Sequence, residues 1–302
     1  MKSFSSLLFK TLQNERLVKS KIGLATVRCS SSFPSFQPSR FQEAVTHDQL
    51  MNTLSERLIN EPAVAQVMRV YDRKYFATPY PNYPFELVYK DEDITLCFGQ
   101  TITSPSLHAV TLDTLFPYLT RPTTETRRVL DIGAGTGYLT ACMSHLVRAH
   151  DIVVYVDALE DMVLRARRSL AEAVLAPRLL MDRSLRDSFG DGSNVDVNKI
   201  YNIHLLMGNA MDMTEAFQTI GKFDVINVGA SVQKVPSSFL DILAPGGALL
   251  IPVGLPNTSQ NLTLFEKSQD GETVSERVVC EAAFSTLAPA DVGSMWKLPP
   301  VV

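Results

Sequence analysis

Short apolar runs alternate with amphipathic stretches over most of this chain. Five runs, rich in Val, Ile, Leu and Phe, have the length of buried strands; they lie at 129–132, 152–157, 203–207, 223–230 and 243–254. Stretches with apolar residues at helical spacing lie at 43–60, 63–70, 107–119, 138–147 and 162–174. This alternation predicts a Rossmann-like α/β fold, in which helices cover both faces of a mostly parallel sheet. Two later runs, 262–267 and 273–279, flank the turn 269–271 and predict a C-terminal antiparallel hairpin.

A glycine turn follows the first of these strands. Gly133, Gly135 and Gly137 stand at alternate positions, just after the acidic Asp131 and just before a predicted helix. A dinucleotide fingerprint would instead have the spacing G-x-G-x-x-G. The spacing seen here resembles motif I of S-adenosylmethionine (SAM) methyltransferases, and a tight strand-to-helix turn without a ligand is the alternative.

One further polar residue and one polar segment also allow either a structural or a ligand-binding interpretation. Asp157 ends the second strand, where an acid in a nucleotide-binding α/β fold accepts hydrogen bonds from ribose hydroxyls; a simple N-cap for the next helix is the alternative. The hydroxyl-rich segment 99–106 reads as a polar turn before a helix, so its hydroxyls either cap that helix or meet a ligand. The polar segment 177–199 predicts an exposed insertion.

The composition argues against several classes of protein. The chain has 302 residues, of which 45% are hydrophobic, so it can bury a sizeable core. The formal net charge is −4 and the pI is about 5.8; no basic cluster follows the N-terminal segment, so we expect no nucleic-acid partner. No apolar run reaches the roughly 18 residues of a membrane span, so we expect no membrane insertion. The four cysteines are scattered without a CxxC pair, which supports neither a metal site nor a disulfide framework.

Residues 1–40 differ in composition from the rest. They carry seven basic residues against the single acid Glu15, together with many serines. A basic, serine-rich and amphipathic start is typical of a mitochondrial transit peptide, and a disordered extension without an address is the alternative. We therefore expect an N-terminal extension at 1–40 and one domain at 41–302. The expected location is the cytoplasm, with the mitochondrial matrix as the alternative.

The order of motifs resembles one family from about residue 47 to residue 266. The matching blocks are 71–76, 98–102 with Pro105 and His108, 131–138, 223–230, and 243–247 running on to 251–254. They resemble the protein-L-isoaspartate O-methyltransferases, a family of class I SAM-dependent methyltransferases. The resemblance implies a repair enzyme that methylates the α-carboxyl of L-isoaspartyl residues in damaged proteins. The ester then closes spontaneously to a succinimide, which can reopen to normal aspartate.

The resemblance also implies roles for particular residues, with SAM as the cofactor. Thr103 would position the isoaspartyl carboxyl. The residues expected to line the cofactor are Thr101, Ile102, His108, Asp131, Gly133, Gly135, Gly137, Asp157, Asn209 and Ala210. The expected partners are isoaspartyl-containing proteins and peptides, and we expect the enzyme to be a monomer.

Four positions depart from the family pattern. Thr103 stands where the family has serine, Asn209-Ala210 where it has Asp-Gly, and Asn227 where it commonly has His. The C-terminal Val-Pro-Leu block is matched only faintly, at 284–287. Two rival functions therefore stay open: a SAM-dependent O-methyltransferase for another, smaller acid, and a SAM-binding adaptor without turnover.

Overall fold

The computed structural model describes residues 44–79, 83–96, 100–181, 202–255 and 258–287. The predicted N-terminal extension and most of the predicted insertion at 177–199 lie outside these ranges. The strands are β1 Ile94–Thr95, β2 Thr101–Ile102, β3 Arg128–Ile132, β4 Ile152–Asp157, β5 Ile203–Met207, β6 Phe223–Val228, β7 Leu243–Val253, β8 Gln260–Lys267 and β9 Val274–Ala282.

Nine α-helices belong to the described ranges. They are α1 His47–Arg57, α2 Pro62–Val70, α3 Lys74–Ala77, α4 Phe85–Val88, α5 Pro105–Thr120, α6 Tyr138–Leu146, α7 Glu160–Met181, α8 Thr214–Ile220 and α9 Ser237–Asp241. A short 3₁₀ turn, Ala210–Asp212, follows β5. None of the helices in these ranges has both the length and the apolar character that crossing a lipid bilayer requires.

Seven strands form the main sheet in the order β5-β4-β3-β6-β7-β8-β9. The first five of these are parallel, and β8 and β9 extend the sheet as an antiparallel hairpin. The predicted fold class and the C-terminal hairpin are therefore confirmed. The chain runs outward from β3 to β5 and then returns to place β6 on the other side of β3. In open α/β sheets, ligands bind at the carboxyl ends of the strands where the strand order reverses in this way.

Alternating strand residues bury the two faces of the sheet under different helices. Val129 and Val153 face a core that includes residues of α1, α2, α5, α6 and α7. Leu130 and Val154, the next residues along the same strands, face a second core that includes residues of α8 and α9. The period of two in a strand produces this division, and both faces are apolar because both are covered.

Several boundaries differ from the predicted ones. The first helix occupies only the residues between His47 and Arg57 of the predicted 43–60. Helix α5 begins at Pro105, since proline is well suited to the first helical turn, where its missing N–H costs nothing. Helix α7 has 22 residues and continues through Pro177, so it extends past the predicted helix end at 174 and into the start of the predicted insertion.

A buried ion pair closes the end of the sheet opposite the carboxyl ends of its parallel strands. Asp151 lies just before β4, and its carboxylate accepts hydrogen bonds from the Arg127 backbone N–H at 2.9 Å and from Arg127 Nη1 at 3.3 Å. Arg148 adds donors to both carboxylate oxygens. Burial alone would raise the pKa of Asp151, but these hydrogen bonds outweigh it and lower the pKa below its usual value.

Replacing Asp151 by Asn should lower the free energy of unfolding by about 3–5 kcal/mol, because Arg127 would keep a buried charge without its partner. The matched control is Asp161→Asn, an exposed acid in the first turn of α7 that should cost less than about 1 kcal/mol. Urea unfolding of the three proteins measures both effects. Equal midpoints for Asp151→Asn and the unmodified protein would contradict this account.

Candidate active site

The glycine turn connects β3 to α6 through left-handed backbone. Gly133, Gly135 and Gly137 have φ values of 64°, 57° and 81°, a region that side chains other than glycine rarely adopt. Gly137 is the N-cap of α6, and a Cβ there would lie 3.4 Å from Ala166 and 3.6 Å from Leu170. This third glycine therefore lets α6 start close against α7. It lines neither of the cavities described below, unlike the other two.

A fourth glycine, directly after the neighbouring strand β6, packs closely against the turn. Gly229 follows β6, and its N–H donates to the Ile132 carbonyl at 2.7 Å. A Cβ at Gly229 would lie 2.7 Å from the Gly133 carbonyl oxygen, closer than real Cβ atoms come to any neighbour. Gly229 is therefore required by a close approach of two backbones. Its place after an apolar run, in the sequence Val-Gly-Ala, was the signal that could have identified it as part of the site.

Asp157 braces the glycine turn from the end of β4. One carboxylate oxygen accepts the Gly135 N–H at 3.0 Å, and the other accepts the Leu159 N–H at 2.9 Å. The acid thus combines a position in the wall of a cavity with a local backbone role, so the two interpretations of its sequence position are not exclusive. Burial raises the pKa of Asp157 to about 6, although the backbone hydrogen bonds oppose the shift.

Asp131 is fully buried beneath the turn. Its carboxylate accepts hydrogen bonds from Thr140 Oγ1 at 2.5 Å and from Asn227 Nδ2 at 2.8 Å. Burial raises its pKa to about 6 in spite of these two bonds. Both oxygens are therefore engaged within the protein, and Asp131 also fixes the orientation of Asn227 at the wall of a cavity.

Two adjoining cavities open at the carboxyl ends of β3, β4 and β6. The predicted site residues that line the larger cavity are Thr101, Thr103, Gly133, Gly135, Asp157, Asn209 and Ala210. Those that line the smaller cavity are Thr101, Ile102, Thr103, His108, Asp131, Gly133 and Gly135. The structure thus brings together all of the predicted residues except Gly137. The two cavities share walls at Thr101, Thr103, Gly133, Gly135, Gly229 and Phe284.

The hydroxyl-rich segment is partly a strand rather than the predicted polar turn, and its last two residues already belong to α5. Thr101 and Ile102 form β2, which pairs antiparallel with β1. Ser104 precedes α5 but makes no side-chain cap, so the capping interpretation of this segment was wrong. Thr103 lines both cavities, and its hydroxyl has no hydrogen-bond partner among the described residues. It is therefore available to a bound molecule.

A buried arginine contacts the backbone next to the antiparallel pair of β1 and β2, here called the β1–β2 hairpin. Arg73 is 1% exposed and donates hydrogen bonds to the carbonyls of Val88 at 3.1 Å, Thr103 at 2.8 Å and Glu92 at 3.3 Å. Its Nη1 also lies 3.5 Å from His108 Nδ1. Arg73 could not be assigned this role from the sequence, because its carbonyl partners lie in segments that only the tertiary fold brings together.

His108 lines the smaller cavity with an uncharged imidazole ring. Its ring stacks on Tyr138, with centroids 4.8 Å apart and an interplanar angle of 24°. Burial, and then the nearby Arg73 charge, lower its pKa well below the usual value. The imidazole therefore stays unprotonated at neutral pH and does not repel a cationic ligand.

A short C-terminal segment completes the larger cavity. Residues 283–287 line it, although their sequence resembled the family block only faintly. The segment lies beside Ser231, whose N–H donates to the Ser285 carbonyl at 2.7 Å and whose carbonyl accepts the Leu287 N–H at 2.8 Å. The Phe284 N–H donates to Gln260 Oε1 at 2.7 Å. Backbone hydrogen bonds, together with the packing of Phe284 and Leu287 against the two apolar cores, thus place this wall.

Comparison with known proteins gives a consistent match over the same residues. A family model described as protein-L-isoaspartate(D-aspartate) O-methyltransferase matches residues 45–290. Protein-L-isoaspartate O-methyltransferase 1 of Arabidopsis thaliana is 30% identical over 220 residues, which cover 73% of this chain and 81% of the plant protein. The Triticum aestivum protein-L-isoaspartate O-methyltransferase is also 30% identical, over 72% of this chain and 80% of its own length.

A solved structure supports the same relationship. It is a putative protein-L-isoaspartate O-methyltransferase of Plasmodium falciparum, determined in complex with S-adenosyl-L-homocysteine. The TM-score is 0.63 at 25% identity, and the match covers 80% of this chain and 98% of the Plasmodium chain.

Replacing Gly229 by Ala should weaken SAM binding by about tenfold or more, because the added methyl group displaces the Gly133 carbonyl and distorts the turn; a tenfold loss corresponds to about 1.4 kcal/mol. Gly271→Ala is the control. It introduces a side chain at a φ of 79° in the distant β8–β9 turn, where a Cβ has room. Calorimetric titration with SAM measures both variants. Wild-type affinity in Gly229→Ala would refute the close-approach argument.

Proposed function

Because the chain belongs to the protein-L-isoaspartate(D-aspartate) O-methyltransferase family, we propose that its two adjoining cavities bind SAM and the isoaspartyl group of a damaged protein. The chain is a repair methyltransferase that transfers a methyl group from SAM to the carboxyl of L-isoaspartyl residues. One observation carries the assignment of the site. Thr101 and Thr103, together with Gly133 and Gly135, form a wall common to both cavities.

The residues around the glycine turn fit SAM. Asp157, Asn209 and Ala210 line the larger cavity, where they would receive the adenosine part, with Asp157 accepting hydrogen bonds from ribose hydroxyls. The main chain of Gly133 and Gly135 lines both cavities and would hold the methionine part. Gly229 also lines both cavities, and a Cβ there would come within 2.7 Å of the Gly133 carbonyl oxygen, so any other residue would displace this main chain. When bound, SAM supplies an activated methyl group on a cationic sulfur.

The protein's contribution to the reaction is mainly positioning. An isoaspartyl carboxyl, with a pKa near 4, is already ionised at neutral pH and needs no general base. Thr103 would donate its hydroxyl hydrogen to this carboxylate and so orient it. His108 is kept neutral and acts as a wall rather than as a proton carrier. Holding two reactants in the correct orientation can lower a barrier by roughly 7–11 kcal/mol.

The wider setting of the enzyme is proposed from the family for its partners, and from charge and N-terminal composition for the absence of nucleic acid and for the location. Its partners are isoaspartyl-containing proteins and peptides, and it works as a monomer without nucleic acid, which the net charge of −4 does not favour. It acts in the cytoplasm, or in the mitochondrial matrix if residues 1–40 serve as a transit peptide.

The test is methyl transfer from labelled SAM to a peptide with one L-isoaspartyl residue, beside its normal aspartyl twin. We expect label in the isoaspartyl peptide alone. SAM binding without transfer to either peptide would favour the adaptor hypothesis. Transfer to a small acid in preference to the peptide would favour a different O-methyltransferase.

Thr103→Ala should lower kcat/KM for the isoaspartyl peptide by roughly 10- to 100-fold, because a hydrogen bond to a charged group is worth about 1.5–3 kcal/mol. Thr103→Ser keeps the hydroxyl and should stay within about threefold of wild type by the same argument. SAM affinity reports on the integrity of the fold in both variants. The exposed Thr219→Ala serves as a control for threonine truncation elsewhere. Full activity in Thr103→Ala would remove the proposed role of this hydroxyl.

A further inference from the structure

An acid at the wall of the larger cavity has one hydrogen-bonded oxygen and one unpaired oxygen. Asp93 Oδ1 accepts the Ser104 N–H at 2.7 Å. Asp93 Oδ2 is hidden from water and has no hydrogen-bond partner among the described residues. The side chain lines the larger cavity. A buried polar atom without a partner costs free energy, so such an atom in a cavity wall indicates a donor supplied by the bound molecule.

Strand register places this acid beside Thr103, the residue proposed to orient the isoaspartyl carboxyl. Ile94 pairs with Ile102, and Thr95 pairs with Thr101. Because alternate residues of a strand share a face, Asp93 lies on the same face of the hairpin as Thr101 and Thr103. The bond from Ser104 N–H to Asp93 Oδ1 holds the acid next to Thr103. A molecule whose carboxyl contacts Thr103 therefore brings the atoms around that carboxyl close to Asp93.

The chemistry of Asp93 restricts what it can bind. Burial raises its pKa to about 6, while the Ser104 backbone bond and the Arg73 charge oppose this shift. At neutral pH the group is therefore mainly a carboxylate, which only accepts hydrogen bonds. The hydrogen bonds from the Arg73 guanidinium go to backbone carbonyls, so this cation leaves Asp93 Oδ2 available. The partner has to be a donor.

We propose that Asp93 Oδ2 accepts the main-chain N–H of the isoaspartyl residue, and that Asp93 is a specificity-determining residue for the acceptor. This inference rests on the proposed function. In an isoaspartyl residue, the N–H and the free carboxyl are attached to the same carbon. In normal aspartate the free carboxyl is one carbon further from the N–H. Thr103 and Asp93 together therefore recognise the separation that distinguishes the damaged residue from the normal one.

The experiment compares two isoaspartyl peptides, in one of which an ester oxygen replaces the N–H of the isoaspartyl residue. The ester keeps the shape and removes only the donor. With wild-type protein we expect kcat/KM to fall by about tenfold or more on this replacement. In Asp93→Asn the ratio between the two peptides should approach one. Asparagine keeps an oxygen for the Ser104 N–H but puts an NH₂ group, which cannot accept, in place of the second oxygen.

Glu272→Gln is the matched control. It changes the net charge equally at an exposed position close to the β8–β9 turn, and should keep the wild-type ratio. SAM affinity in all three proteins shows whether the fold is retained. A wild-type ratio near one, or an unchanged ratio in Asp93→Asn, would overturn the role of Asp93 alone. No methylation of the amide peptide by wild-type protein would overturn the proposed function, and this inference with it.

Discussion

The close approach of two backbones at the carboxyl ends of β3 and β6 is the constraint on which the site depends. The Gly229 N–H reaches the Ile132 carbonyl at 2.7 Å, and the same proximity leaves no space for a side chain at Gly229. The glycine turn can then leave β3 with left-handed backbone and bend away over the sheet. Asp157 fixes the far side of this turn through the Gly135 N–H. The glycine turn and Gly229 thus present main-chain atoms, whose positions do not vary with rotamer.

The acceptor side depends on a different interaction, a buried cation bound to carbonyl oxygens. Burial lowers the pKa of Arg73 to about 10, so the guanidinium remains charged at neutral pH. Its donors connect the segments around Val88, Glu92 and Thr103. A lysine offers a single compact charge rather than a planar fork, and would not reach these three carbonyls together. The hairpin that carries Thr103 is therefore fixed by the polar contacts of Arg73 as well as by Ile94 and Ile102, which pack into the apolar core.

The parts of the structure that depend on local pattern were predictable from the sequence. Apolar runs gave the parallel strands, and the spacing of Gly133, Gly135 and Gly137 gave the turn. The family resemblance brought in Thr103 and Asn209, both of which line the cavities. The sequence Val-Gly-Ala after an apolar run indicated Gly229, but the functions of Arg73 and Asp93 were not predictable, because each depends on contacts between segments that are distant in sequence. Pro177 does not end its helix, since α7 continues through it to Met181.

The segment at 283–287 has a kinetic consequence. It forms a wall of the larger cavity; its hydrogen bonds go to Ser231 and Gln260, and Phe284 and Leu287 pack against the two apolar cores. Proteins open locally with free energies well below that of global unfolding where few contacts hold a segment. The segment belongs neither to the seven-stranded sheet nor to the glycine turn. A methylated protein chain is far too large to pass through a closed pocket, so opening of this wall is a step on which product release, and with it turnover, can depend.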